Sequence, residues 1–238
     1  MRIISYNLQK HRAATELDAL VEEHAAGVLC LQEADVTALP ESIGGLVLAE
    51  ATRENRLGLA VYYRADMYRA VESRVLSLKK SLHDRMLRPA HERVVAVRLH
   101  DIDDGYDFVA ASFHASPLTA LNSLRRHQIR VALQQLSSMG EALPTVMVGD
   151  YNYPVFKESL GQTMRRRGYM LTISDAHTYT RYRVFRGHYD FATSVGCRID
   201  QVHTLPQGRS DHRPILVTAT PARASQVRGD GERSHRSV

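Results

Sequence analysis

No apolar run in this 238-residue sequence approaches the roughly 20 residues that a membrane-spanning helix needs. The opening MRIISYNLQK has one arginine, a short β-type run and then polar residues. It lacks the apolar stretch and small-residue cleavage site of a secretory signal, so it reads as a first strand, and a cytoplasmic location is expected. Cysteine is scarce as well: Cys30 sits in VLCLQ and Cys197 in VGCRID. Two such residues exclude a disulfide framework and suggest core or near-core thiols, with a single bridge left open. Internal repeats and long linkers are missing from residues 1–220, so one domain is expected there.

Strong excess of either charge is also missing. The formal charge is +5 with a pI near 9.3, and residues 221–238 contribute +2 of it, leaving +3 on the body. This leans toward an anionic partner such as nucleic acid, anionic lipid or a phosphorylated metabolite. That last segment, PARASQVRGDGERSHRSV, is poor in apolar residues and is expected to be a disordered basic tail in which RGD occurs by chance. Hydrophobic residues at 44% and charged residues at 24% place the rest among ordinary globular proteins.

Apolar or alternating runs predict strands at RIISYNL, VLCLQ, LVLAEA, GLAVYYR, RVVAVRLH, YDFVAASF, TVMVG, IDQVHTL and PILVTA. Helices are predicted between them. TELDALVEEHAAG places Leu17, Leu20 and Val21 on one stripe, with Thr15 and Asp18 spaced as a capping box and Gly27 as the stop. A longer helix follows Pro117, with Leu121, Leu124, Ile129, Leu133 and Leu136 at helical spacing up to Gly140, and FKESLGQTMRRRG forms a third. Strands outnumber helices and often follow one another directly, so two packed sheets flanked by helices fit best.

Polar residues interrupt the strand ends. RIISYN stops at Asn7, VLCLQE at Glu33, FVAASFH at His114, and TVMVGDYN at Asp150 and Asn152; CRIDQV contains Asp200, and GRSDHRPI puts Asp211 and His212 before the last strand. Residues i and i+2 of an extended chain face the same way, so Asp150 and Asn152 point together while Tyr151 points elsewhere. Singly, each is explained as a turn residue or cap. Together they suit phosphoester cleavage. Glu33 and Asp211 are hard oxygen ligands of the type Mg²⁺ takes, His212 backed by Asp200 would handle a proton, and Asn7 and Asn152 would hydrogen-bond phosphate and water without adding like charge.

SYN, LQE, FHASP, GDYN, RIDQV and SDHRPI, ordered from residue 5 to residue 215, resemble the endonuclease/exonuclease/phosphatase superfamily. The resemblance implies an α/β fold, a four-layer sandwich of two central, mostly antiparallel β-sheets flanked by helices, and Mg²⁺- or Mn²⁺-dependent hydrolysis by direct attack of water. It implies Glu33 as the main metal ligand with Asn7 and Asp211 near the ion. Asp150 and Asn152 would activate or position the nucleophile, Asp200 would support His212, and His114 would match the second histidine of the deoxyribonuclease and sphingomyelinase branches. Arg93 would correspond to an arginine that contacts phosphate and Glu54 to a group orienting His114, with plain surface charge as the alternative for both. Tyr151 stands where the family usually has phenylalanine, and the chain is short for long recognition insertions.

The expected function is a monomeric metal-dependent phosphodiesterase acting on nucleic acid. The alternatives are a phosphatase or sphingomyelinase-like enzyme acting on a small or lipid phosphoester, or a binding module without catalysis. None of the metal and proton-transfer residues is missing, which speaks against the last. The other ten histidines, His83 and His91 among them, belong to no motif.

Overall fold

Alternation along the strands sorts the side chains into three apolar layers. The computed structural model describes residues 1–82, 84, 90–153, 157–166, 168–179 and 187–222. The expected tail, from residue 223 onward, and His83 lie outside them.

Seven strands form one sheet: β1 (Arg2–Asn7), β2 (Val28–Ala34), β3 (Ser42–Ile43), β4 (Leu46–Ala51), β5 (Gly58–Arg64), β12 (Cys197–Thr204) and β13 (Ile215–Pro221), in the order β12-β13-β1-β2-β5-β4-β3. Six form the other: β6 (Tyr68–Ser77), β7 (Glu92–Asp101), β8 (Asp107–His114), β9 (Thr145–Asp150), β10 (Met170–Ile173) and β11 (Asp190–Val195), in the order β10-β11-β9-β8-β7-β6. Ile3, Cys30, Val61, Val97, Ala110, Val148 and Val217 fill the space between the sheets. Their strand neighbours face outward. Ile4, Leu29, Leu31 and Tyr62 pack under α1 (Leu17–Glu23), while Ala96, Ala111, Phe113 and Met147 pack under α2 (Asn122–Leu136) and α3 (Lys157–Arg165). The result is the four-layer sandwich that the sequence predicts.

Among the described residues every strand pairing is antiparallel except two, β1 with β2 and β8 with β9. These two pairs, one in each sheet, send their C-terminal ends toward the same place. Just inside that edge a buried clip joins the sheets: Gln32 donates to Ser112 Oγ at 2.8 Å, and Ser112 donates to the Leu31 carbonyl at 2.8 Å.

Several local expectations change. The capping box at Thr15 does not form, because Asp18 instead accepts the Gly44 N–H at 2.7 Å and α1 begins without a side-chain cap. The helix stops before Gly27, the turn being made by Ala25 at φ 44°. Strands β3, β6, β10 and β11 were not evident in the sequence. Both cysteines are buried, free thiols. Among the described residues no helix is long and apolar enough to cross a membrane.

Candidate active site

The converging strand ends open into a cleft of about 610 Å³ lined by Glu33, His114, Asp150, Asn152, Asp211 and His212 among others. Asn7 ends β1 and pairs in register with Gln32, next to Glu33. His114 and Asp150 end β8 and β9 as register partners. One more carboxylate arrives by the same logic: β11 starts where β9 stops, and its first residue, Asp190, pairs with Asp150.

Local backbone geometry aims these groups. Glu33 lies in a bulge of β2 with φ 53°, which breaks the alternation and redirects its side chain. Its carboxylate accepts the Lys10 N–H at 3.1 Å. Asn152, at φ 47°, donates both its backbone N–H and its amide to Asp150, at 2.9 and 3.1 Å. Asparagine tolerates this left-handed conformation better than most residues. Tyr151 points the other way, stacked on Phe191 with ring centroids 3.8 Å apart.

The Asn7 amide bridges the two carboxylates, donating to Asp150 at 3.1 Å and reaching Glu33 at 3.5 Å. Its oxygen accepts the Gln9 N–H at 3.0 Å, so Asn7 sits as a hydrogen-bonding bridge between the two carboxylates. His114 Nε2 is 3.6 Å from Asp150 and 3.9 Å from Glu33, and His212 Nε2 is 3.8 Å from Asp150.

Three expectations are corrected. The carboxylate behind His212 is Asp190, whose Oδ2 accepts from the imidazole Nδ1 at 2.9 Å. Asp200 sits at a bulge of β12 and accepts from Arg198 at 2.6 Å and from Thr220 at 2.7 Å, away from the cleft lining. Arg93 borders the cleft, yet its buried guanidinium turns inward. It donates to Asp84 at 2.7 Å and to the carbonyls of His114 and Ala115 at 3.3 and 3.1 Å, bracing the end of β8. Glu54 does not orient His114: it is exposed, its backbone N–H is bonded to Glu92, and among the described residues no hydrogen bond reaches the buried His114 Nδ1.

Asp190 escapes a reading of the sequence because DFATSV mixes small and polar residues and lacks the apolar pattern of a strand. The usable signal was a carboxylate directly before an alternation of Phe191, Thr193 and Val195.

Burial and charge set distinct protonation tendencies. Burial pushes the Asp150 carboxyl up, with Asp190 and Glu33 adding to the effect and His212 opposing it. Burial alone would lower His212, but Asp190 and Asp150 outweigh it and favour the imidazolium. His114 is held neutral, first by burial and then by the charges of Arg93, His212 and Arg56. Packed carboxylates that raise one another's pKa are a setting a cation relieves, and the donors suit a hard divalent ion. Asp150, Asp190 and His212 bring one ligand atom each within 4.8 Å of the others, close enough to hold a metal.

No curated protein matches the chain by sequence. Solved structures match its fold over most of its length. The Bacteroides thetaiotaomicron mannosyl-6-phosphatase aligns with a TM-score of 0.75 at 15% identity, covering 92% of this chain and 99% of that one. D. rerio TDP2 complexed with a single-strand DNA product gives 0.75 at 15% identity, covering 92% and 98%. The human nocturnin catalytic domain with a bound sulfate anion gives 0.72 at 15% identity, covering 93% and 94%. The profile of the Endonuclease/Exonuclease/phosphatase family matches residues 4–232, and with the strand-end site assembled on this fold the chain belongs to that family.

Proposed function

We propose that the protein is a divalent-metal-dependent phosphoesterase that hydrolyses a phosphodiester of nucleic acid by direct attack of water. The observation that carries this reading is the convergence of Asn7, Glu33, His114, Asp150, Asn152 and His212, drawn from both sheets, on one cleft.

In the proposed reaction a water oxygen bonds to phosphorus and the bond to the leaving oxygen breaks. Asp150, with its carboxyl pushed up by burial, is matched to take the water proton near neutral pH. Asn152 fixes that carboxylate in place. His212, held charged by Asp190, faces the developing negative charge of the phosphoryl group. His114 stays neutral and offers a hydrogen bond without repelling His212. Glu33 and Asp211 would hold the ion, which when bound supplies Lewis-acid withdrawal of charge from the phosphoryl oxygens. Assigning the ion to Glu33 lets His212 stay charged beside Asp190, whereas a metal ligated by His212 in the Asp150, Asp190 and His212 group would require a neutral imidazole.

The test is an Mg²⁺- and Mn²⁺-dependent screen over plasmid DNA, oligonucleotides, RNA, sphingomyelin, inositol phosphates and sugar phosphates. Nucleic-acid cleavage that disappears in Glu33→Gln and His212→Ala is the expected result, and full activity in excess chelator would contradict it. Turnover confined to a sugar or inositol phosphate would replace the nuclease reading with a phosphatase. Calorimetric Mn²⁺ binding should be lost in Glu33→Gln and kept in Asp190→Asn; the reverse pattern moves the ion to the Asp190 group.

A further inference from the structure

Charge is distributed unevenly along the cleft. The segment after β8, with Pro117, Leu118 and Thr119, contributes only uncharged lining. Lys10 and Arg12 from the loop after β1, and Arg56 from the loop before β5, contribute three exposed cations. Among the described residues no carboxylate pairs with any of them, although Arg74, Arg93, Arg98 and Arg198 each have one.

The loop that carries Lys10 is held in an unusual shape. Gln9, Lys10 and His11 have φ values of 48°, 56° and 68°, a left-handed run that non-glycine residues rarely sustain. Bonds from the Lys10 N–H to the Glu33 carboxylate and from the His11 N–H to the Glu33 carbonyl lock it against β2. The backbone that carries Lys10 is therefore held next to the reacting groups. Arg56 is close enough for its charge to lower His114 and Arg93. Lys10, Glu33, Arg56 and Leu57 also line a second hollow, which Arg53 and Asn55 help to form, so the groove continues past Glu33.

We propose that Lys10, Arg12 and Arg56 form a second anion subsite that takes a non-reacting phosphate of the substrate, so that the enzyme prefers a phosphodiester bearing a neighbouring phosphate. The proposal rests on the phosphoesterase reading above for its reacting phosphate. A cation in a cleft that no described carboxylate pairs with gains a charge-assisted bond when an anion arrives, without first breaking an ion pair. Such a contact to a part of the substrate that does not react lowers KM more than it raises kcat.

Two probes differing by one group test this: thymidine 5′-(p-nitrophenyl phosphate) with and without a 3′-phosphate. Hydrolysis adds the water oxygen to phosphorus and releases p-nitrophenolate with the bonding electron pair, so both probes report the same step. The wild-type protein is expected to favour the 3′-phosphorylated probe about tenfold in kcat/KM, chiefly through KM. The preference should shrink with added salt and fall toward one in an Arg12→Gln, Arg56→Gln double variant whose circular dichroism matches wild type. Thymidine 3′,5′-bisphosphate titrated in chelator should bind the wild type and lose at least tenfold in affinity in that variant. Equal cleavage of both probes by the wild type, or a preference that survives the substitutions, overturns the subsite and leaves the phosphoesterase reading intact. Cleavage of neither probe together with arginine-dependent bisphosphate binding overturns the nucleic-acid phosphodiesterase reading and keeps the subsite, and loss of both overturns both.

Discussion

His212 has Asp190 behind it at 2.9 Å, and that contact decides which nitrogen faces the cleft and how firmly the ring holds a proton. Removing the charge while keeping the shape should therefore be costly. Asp190→Asn is expected to lower kcat by about 10²- to 10⁴-fold. Asp200→Asn, at a carboxylate that accepts from Arg198 and Thr220 away from the cleft lining, should leave kcat within about twofold. Steady-state kinetics on whichever substrate the screen identifies would check both, and a reversed order would remove Asp190 from its role. His212 was legible because SDHRPI carries it in a contiguous motif. Asp190 was not, since its function depends on the pairing of β11 with β9, which no local pattern announces. Asp200 was misassigned for the converse reason: a motif supplied an acid without supplying its direction.

Asp84 and Arg93 form a pair buried on both sides, with bonds from Ser81 to the same carboxylate. Burial works to raise the Asp84 pKa, but the Arg93 charge and the Ser81 bonds win, so it lies below the ordinary value. A depressed carboxyl binds fewer protons folded than unfolded, so its stabilisation is complete above about pH 4 and fades as pH falls through the folded value. Asp84→Asn should cost about 3–5 kcal/mol at pH 7, by leaving Arg93 buried and uncompensated. The gap from wild type should narrow below about pH 4. Urea melts at pH 7 and pH 3 would measure it, and a gap constant across that range would show that the carboxylate charge contributes nothing.

At the scale of elements, the most exacting position is Gly149 in β9. Its φ of +144° is foreign to L side chains, and a Cβ there would stand 1.9 Å from the Phe113 carbonyl oxygen of β8. Backbone on both sides of the parallel pair would have to part. Gly149→Ala is expected to reduce the unfolding free energy by more than about 3 kcal/mol or to abolish soluble expression. An unchanged denaturant midpoint would mean that β8 and β9 can yield there. The central strands were legible because they are apolar on both faces, as a sheet covered on both sides requires. The edge strands were not: β6 reads YRAVESRVLS, in which Tyr68 alone is buried, and β10 has only four residues. The bulge that turns Glu33 into the cleft was equally invisible, because it arises from how β2 meets β5.

The whole molecule is two sheets whose converging strand ends gather the carboxylates of Glu33, Asp150, Asp190 and Asp211 about one cleft. A cation bound there stabilises the folded chain by mass action. At 100 times its dissociation constant, Mn²⁺ should add about 2.7 kcal/mol, a rise in Tm of about 5–10 °C for a chain of this size, reversed by chelator. Glu33→Gln should abolish the rise; a metal-independent melting curve for the wild type would count against any ion at the site.

Asn7, His114 and Asp150 each close a strand and Asp190 begins one, and three of these four are direct register partners across two pairings. A slip of one residue along either pairing would present Gly149, Phe113 or Phe191 where a polar group is required. The proposed hydrolysis is thus tied to correct alignment of the ladder itself, and a chain with one sheet misaligned is expected to be inert. Titrated with urea, enzymatic rate and circular dichroism should be lost together at one midpoint, with no active, loosened species in between.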